Sequence, residues 1–194
     1  MRPTYTPSSD VVSYAGRAVH DLGLAGLLGG QLFGRLALHP SVTEISDARQ
    51  RGAVVNQAWR RYGVINTLGL AAVTGGWARA RLGGESADGL LTQRERGLAR
   101  AKDVLVAATF VTGVATGLEG MRFARTETNG SVPLVDGDHA APEATAREAA
   151  MKRRLNALGV AAIVTELGLV VVNAALEQAG FREAPPKRWW RRGR

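Results

Sequence analysis

Residues 155–176, LNALGVAAIVTELGLVVVNAAL, carry a single charge, Glu166, in an otherwise apolar run rich in alanine, leucine and valine. Hydrocarbon excludes charge from a stretch of about 20 residues and tolerates it at the ends. The run therefore reads as a helix crossing a lipid bilayer. Three more stretches, 18–38, 62–78 and 104–118, are nearly free of charge, and their cores at 22–34, 62–78 and 104–118 contain none. The expected fold is all-α, a four-transmembrane-helix bundle.

The charges between these runs support that solvent. The chain has 25 Lys+Arg against 17 Asp+Glu, a formal charge of +8. Such basicity suits nucleic acid or anionic lipid. A nucleic-acid module interleaves its basic residues with aromatics across a groove. Here they gather at the ends of apolar runs, as in Arg35, Arg60, Arg61, Arg79, Arg81, Arg100, Lys102, Arg153 and Arg154. Lipid is the expected partner and nucleic acid is not. The mean hydropathy of −0.06 leaves one rival, a soluble basic helical module with these runs as its aqueous core. Against it, soluble bundle helices carry a polar face, which 22–34 and 104–118 almost lack.

Residues 1–13, with Pro3, Pro7, Ser8 and Ser9, read as a flexible tail, and Asp10 or Ser13 as a cap for the first helix. No A-x-A-like site closes the first span, so it is expected to stay in the mature protein. The bundle takes up 14–180, and 181–194 form a basic C-terminal tail. Residues 41–61 are amphipathic enough for a short interfacial helix. Residues 126–146 hold Glu127, Asp136, Asp138 and Glu143 among Asn129-Gly130, Pro133, Asp136-Gly137 and Pro142, the pattern of a long aqueous loop.

Gly26, Gly30 and Gly34 lie at four-residue spacing, as do Gly113 and Gly117, and Ala72 and Gly76. Such stripes allow helices to approach closely in lipid, so helix packing is their expected role. Asn66–Val73 and Asn156–Ile163 match at five of eight positions, and Asp21–Ala25 parallels Asp103–Ala107. Two repeated helical hairpins would explain both.

Lys+Arg counted by side gives fourteen with the termini and eleven opposite. The tail supplies Lys187, Arg188, Arg191, Arg192 and Arg194 beside Trp189 and Trp190, suited to anionic headgroups. Both termini are expected on the cytoplasmic side of a bacterial inner membrane.

Glu166 is the notable intramembrane polar residue, with Gln31, Thr74, Thr109 or Thr112 as partners at comparable depth. It is either a proton or cation relay or an interhelical hydrogen bond holding the bundle or a partner subunit. His20 and Asp21 form a candidate polar site at the interface. His20 and His39 stand about 28 Å apart along one helix at 1.5 Å per residue, too far to share a metal. His139 falls in the loop. With no cysteine, there is no disulfide, thiolate ligand or thiol nucleophile. No G-x-S-x-G, H-E-x-x-H or phosphate-loop motif occurs, so no catalytic residue, metal or cofactor is expected.

The first span, Val19-His20-Asp-Leu-Gly-Leu-Ala-Gly-Leu-Leu-Gly29-Gly30-Gln-Leu-Phe33, resembles the first helix of copper-resistance D-type and related small four-helix bacterial membrane proteins. There, a histidine precedes a Gly-Gly pair by nine or ten residues. Leu27 stands where members commonly have tryptophan, and the later histidines of haem- or copper-handling members are missing. The resemblance implies the four-span architecture rather than metal chemistry. The chain thus reads as a non-catalytic accessory or packing subunit that meets a membrane-protein partner or its own copy. A small transporter or redox accessory using Glu166 is the alternative.

Overall fold

A computed structural model of the protein describes residues 7–82, 91–126 and 130–182. These form α1 (Pro7–Phe33), a π-turn (Gly34–Leu38), α2 (His39–Ser41), a 3₁₀ turn (Val42–Glu44), α3 (Ala48–Leu82), α4 (Gln93–Ala124) and α5 (Ala146–Arg182). The described residues contain no strand, only an isolated bridge between Leu134 and Ala140. The all-α expectation holds.

Four long helices pack as two antiparallel pairs, α1 with α3 and α4 with α5; α3 also meets α4, and α1 meets α5. Among the described residues, Gln93–Ala124 and Ala146–Ala179 are long and apolar enough to cross a membrane. In each, only 22% of the apolar window is buried, whereas the core helix of a soluble bundle hides most of its apolar stripe.

Local chemistry sets the helix ends. Thr92 caps α4 in a reciprocal box with Glu95, and Thr145 pairs with Glu148 in the same way at α5. Both satisfy amides that the first turn leaves unpaired. Asp47 accepts from the Gln50 amide at 2.8 Å where α3 begins. Near the end of α1, Pro40 has no N–H to donate, and its ring crowds the carbonyl four residues back. The chain widens just before it, with the His39 amide bonding to the Gly34 carbonyl in π register.

Three boundaries differ from expectation. Helix α1 begins at Pro7, so Asp10 and Ser13 lie inside it rather than capping it, and the expected 1–13 tail is helical from residue 7. The expected interfacial helix is not separate: from residue 48 it is the first part of α3, and no proline interrupts 48–61. Most of the acidic loop is a folded cap. Val132 and Leu134 are fully buried there, and the Leu134 and Gly137 amides donate to Ala48 and His39 carbonyls, each at 3.0 Å. The C-terminal tail from residue 183 lies outside the described residues, as does Glu127.

The hairpins of the proposed repeat exist as helix pairs, but its matched positions do not share a packing register. Leu70 and Val73 are buried, while their counterparts are Val160, 44% exposed, and the half-buried Ile163.

Candidate functional site: a polar layer between two apolar cores

Two apolar cores stack along the bundle. One, around Leu27, Val73, Val106 and Leu169, extends toward the His20 end. The other, around Val42, Phe123, Leu134 and Met151, lies under the cap at the His39 end. Between them falls a polar layer.

Glu166 on α5 is 2% exposed and Thr109 on α4 is 1% exposed. Neither Glu166 Oε2 nor Thr109 Oγ1 has a hydrogen-bond partner among the described residues. The helix registers bring them together. Leu105 packs over Gly168, and Glu119 meets Arg154 at 4.0 Å. Thr109 is thereby opposite residue 164, within ~3 Å of Glu166 along the axis. On α1, Asn173 meets Asp21 and Gly159 meets Gln31, so Glu166 stands opposite residue 26. The Tyr62 hydroxyl of α3 donates to the Gly26 carbonyl at 2.6 Å and to that of Leu27 at 3.1 Å, at the level of Glu166.

Of the expected partners, Gln31 is buried and borders the layer over Gly159. Thr112 does not join it, because its hydroxyl is back-bonded to the Ala108 and Thr109 carbonyls. Thr74 is likewise bonded to Leu70 of its own helix.

At one end of the bundle, His20 is buried beside Asp21, its Nδ1 3.1 Å from the Asp21 carboxylate and its Nε2 without a protein partner. Asn173 reaches the same carboxylate at 3.5 Å. Lys102 is buried with its Nζ 4.3 Å from the Trp77 ring centre. The Trp77 indole and Arg81 both donate to Asp103, at 2.7 and 2.9 Å. Sequence reasoning read Arg81, Lys102 and Asp103 only as end charges or repeat positions. The signal was their clustering with Trp77 within one turn of two adjacent helices.

At the other end, His39 Nδ1 lies 2.9 Å from Asp138, and Trp59 donates its indole N–H to His39 Nε2 at 3.1 Å. Asn156 ties the Asp138 carbonyl to α5. His39 therefore carries its proton on Nδ1, has both nitrogens occupied, and clamps the cap. His139 is on the cap's exposed rim, bonded to Asp136. Burial raises Asp136, but the His139 ring and two backbone amides outweigh it and hold this carboxyl below its usual range.

Burial, with the nearby Lys152 charge, pushes His39 below its ordinary value, against a smaller upward pull from Asp138. A neutral form favoured by folding contributes fully above the unfolded value of about 6.5 and is lost as pH falls toward the lowered folded value. Protonation also puts a second donor on Nε2, facing the Trp59 N–H. Trp59 emission should therefore change as pH falls below about 6.5 in the wild type and stay flat in His39→Gln. A flat wild-type profile would dismiss the clamp.

The glycine stripes pack differently from expectation. Gly30 and Gly34 receive the Tyr62 and Trp59 rings, where an added Cβ would sit 2.1 and 2.4 Å from ring atoms, and Gly26 has only Ile65 at 3.6 Å. Gly113 takes Leu70, while Gly117 faces open space. Close backbone approach is seen at Gly23 and Gly69, where a Cβ on either would lie 3.0 Å from the other's carbonyl oxygen, and at Gly76 of the Ala72/Gly76 stripe, where a Cβ would lie 3.3 Å from the Gly16 carbonyl oxygen.

No three His, Cys, Asp or Glu side chains among the described residues converge as a metal site. Set against models of known families, curated proteins and solved structures, the chain matches none.

Proposed function

We propose that this chain is a polytopic integral membrane protein, four helices crossing a bacterial inner membrane with both termini cytoplasmic, serving as a non-catalytic accessory or packing subunit. The observation that carries the reading is an inside-out distribution of polarity. Large apolar side chains are exposed on every long helix, including Leu22 at 73%, Leu68 at 65%, Val111 at 62% and Val171 at 67%, while Gln31, Thr109 and Glu166 are buried. Soluble monomers do not expose apolar surface on all sides. On α4 the exposed series runs from Val104 to Met121, about 25 Å at 1.5 Å per residue, close to the thickness of hydrocarbon. The outward faces are then available to lipid, a membrane partner or a second copy.

The test is partition. The protein should sediment with membranes, resist alkaline carbonate and require detergent for release, and a Leu22→Trp variant should be quenched by lipids brominated along the acyl chain. Recovery as a monodisperse aqueous protein would refute the reading.

A second reading, a small transporter using Glu166, has its own support. Glu166 Oε2 has no hydrogen-bond partner among the described residues, and at 2% exposure the side chain lies beyond reach of a partner subunit. Neither form of the interhelical hydrogen-bond role accounts for that oxygen.

A further inference from the structure

We propose that Glu166 Oε2, Thr109 Oγ1 and the Tyr62 hydroxyl oxygen form a binding site for a monovalent cation, Na⁺, held inside the bundle between its two apolar cores. The inference rests on the second reading above and deepens it by naming the ligand class and two further residues.

Two side chains from different helices, each nine-tenths buried or more, present unpartnered oxygens at one height. A buried polar group without a partner costs about 1–3 kcal/mol, so two such groups at one level point to a ligand that satisfies both. The third oxygen comes from Tyr62. Its one proton is directed at the Gly26 and Leu27 carbonyls, which leaves the lone pairs of its oxygen as acceptors. Three oxygens with one carboxylate match a hard cation of single charge, since hard cations take oxygen ligands. A divalent ion would keep a net positive charge in a low-dielectric interior, which is strongly disfavoured.

Among the described residues, no cationic side chain competes in the layer. The titratable and charged groups facing it are Tyr62 from α3 within it, His20 and Asp21 from α1 and Lys102 and Asp103 from α4 toward one end, and His39 and Lys152 toward the other. Lys102 is engaged with the Trp77 ring, and Lys152 lies beside Asp138 and Asp136 under the cap. Gln31 on α1 closes the layer on the His39 side.

The experiment uses the full chain in detergent or nanodiscs. At alkaline pH, replacing N-methylglucamine chloride with NaCl should raise the melting temperature of the wild type by about 5 °C. The rise should vanish in Glu166→Gln, and Thr109→Val should require roughly tenfold more Na⁺. A wild type whose melting temperature does not respond to Na⁺ overturns the proposal. That failure leaves the membrane reading standing if the protein still partitions into lipid, whereas aqueous recovery strikes at the membrane reading by itself.

Discussion

Val111→Arg and Leu68→Arg should each drive the protein out of the membrane fraction and into degradation. Both positions are well exposed, at 62% and 65%. On a protein in water, such surface changes stay within about 0.5 kcal/mol. In hydrocarbon, an arginine near the centre of a helix costs about 2.5–3.5 kcal/mol on insertion scales, and the lost valine or leucine adds about 0.3–0.6. Leu68 should be the more sensitive, because α3 has the thinner apolar excess and is not among the two helices that qualify as spans by composition. Quantitative fractionation with protease protection measures both. Normal yield and folding of either variant without surfactant would show that water is the solvent at that face.

Gly52→Val should release the cap. A Cβ at Gly52 would lie 2.0 Å from the Val132 carbonyl oxygen and 3.0 Å from the Val132 backbone carbon and nitrogen. Backbone on both sides cannot yield as a flexible side-chain tip does. The cap must lift off α3, exposing Val132 and Leu134 and breaking the 3.0 Å bond from the Leu134 amide to Ala48. Each side chain is worth about 1.5–3 kcal/mol when fully buried, and the hydrogen bond about 1. The expected local loss is about 4 kcal/mol or more, read as rapid proteolysis within residues 130–140. Gly97→Ala is the matched control. It meets nothing within 4 Å and should raise helix stability by about 0.5–1 kcal/mol. Equal protease resistance in Gly52→Val and wild type would refute the docked cap.

Much of the helical layout was legible, because uncharged runs and flanking arginines are properties of consecutive residues. Both capping boxes were readable too, as Thr92-x-x-Glu95 and Thr145-x-x-Glu148. The cap was not. Its acidic residues and turn formers describe its outward side, while the two residues that seat it, Val132 and Leu134, are too few to form a pattern.

The candidate site divides in the same way. Glu166 stood out as the one charge in its run. Thr109 and Thr112 were equivalent in sequence, yet one points into the layer and the other bonds its own helix. Tyr62 stood in sequence at the edge of a span, and packing alone places its hydroxyl on Gly26.

The chain by itself determined that it is helical, where its long apolar runs fall and which acid they enclose, since each depends on neighbouring residues and on the transfer of side chains from water. Tertiary structure decided which oxygens share a layer, which glycines receive rings and what the acidic segment covers. Each residue along a helix turns the side-chain direction by about 100°, and a run that is apolar all round has no polar face to set its rotation. Only contact between helices fixes that angle.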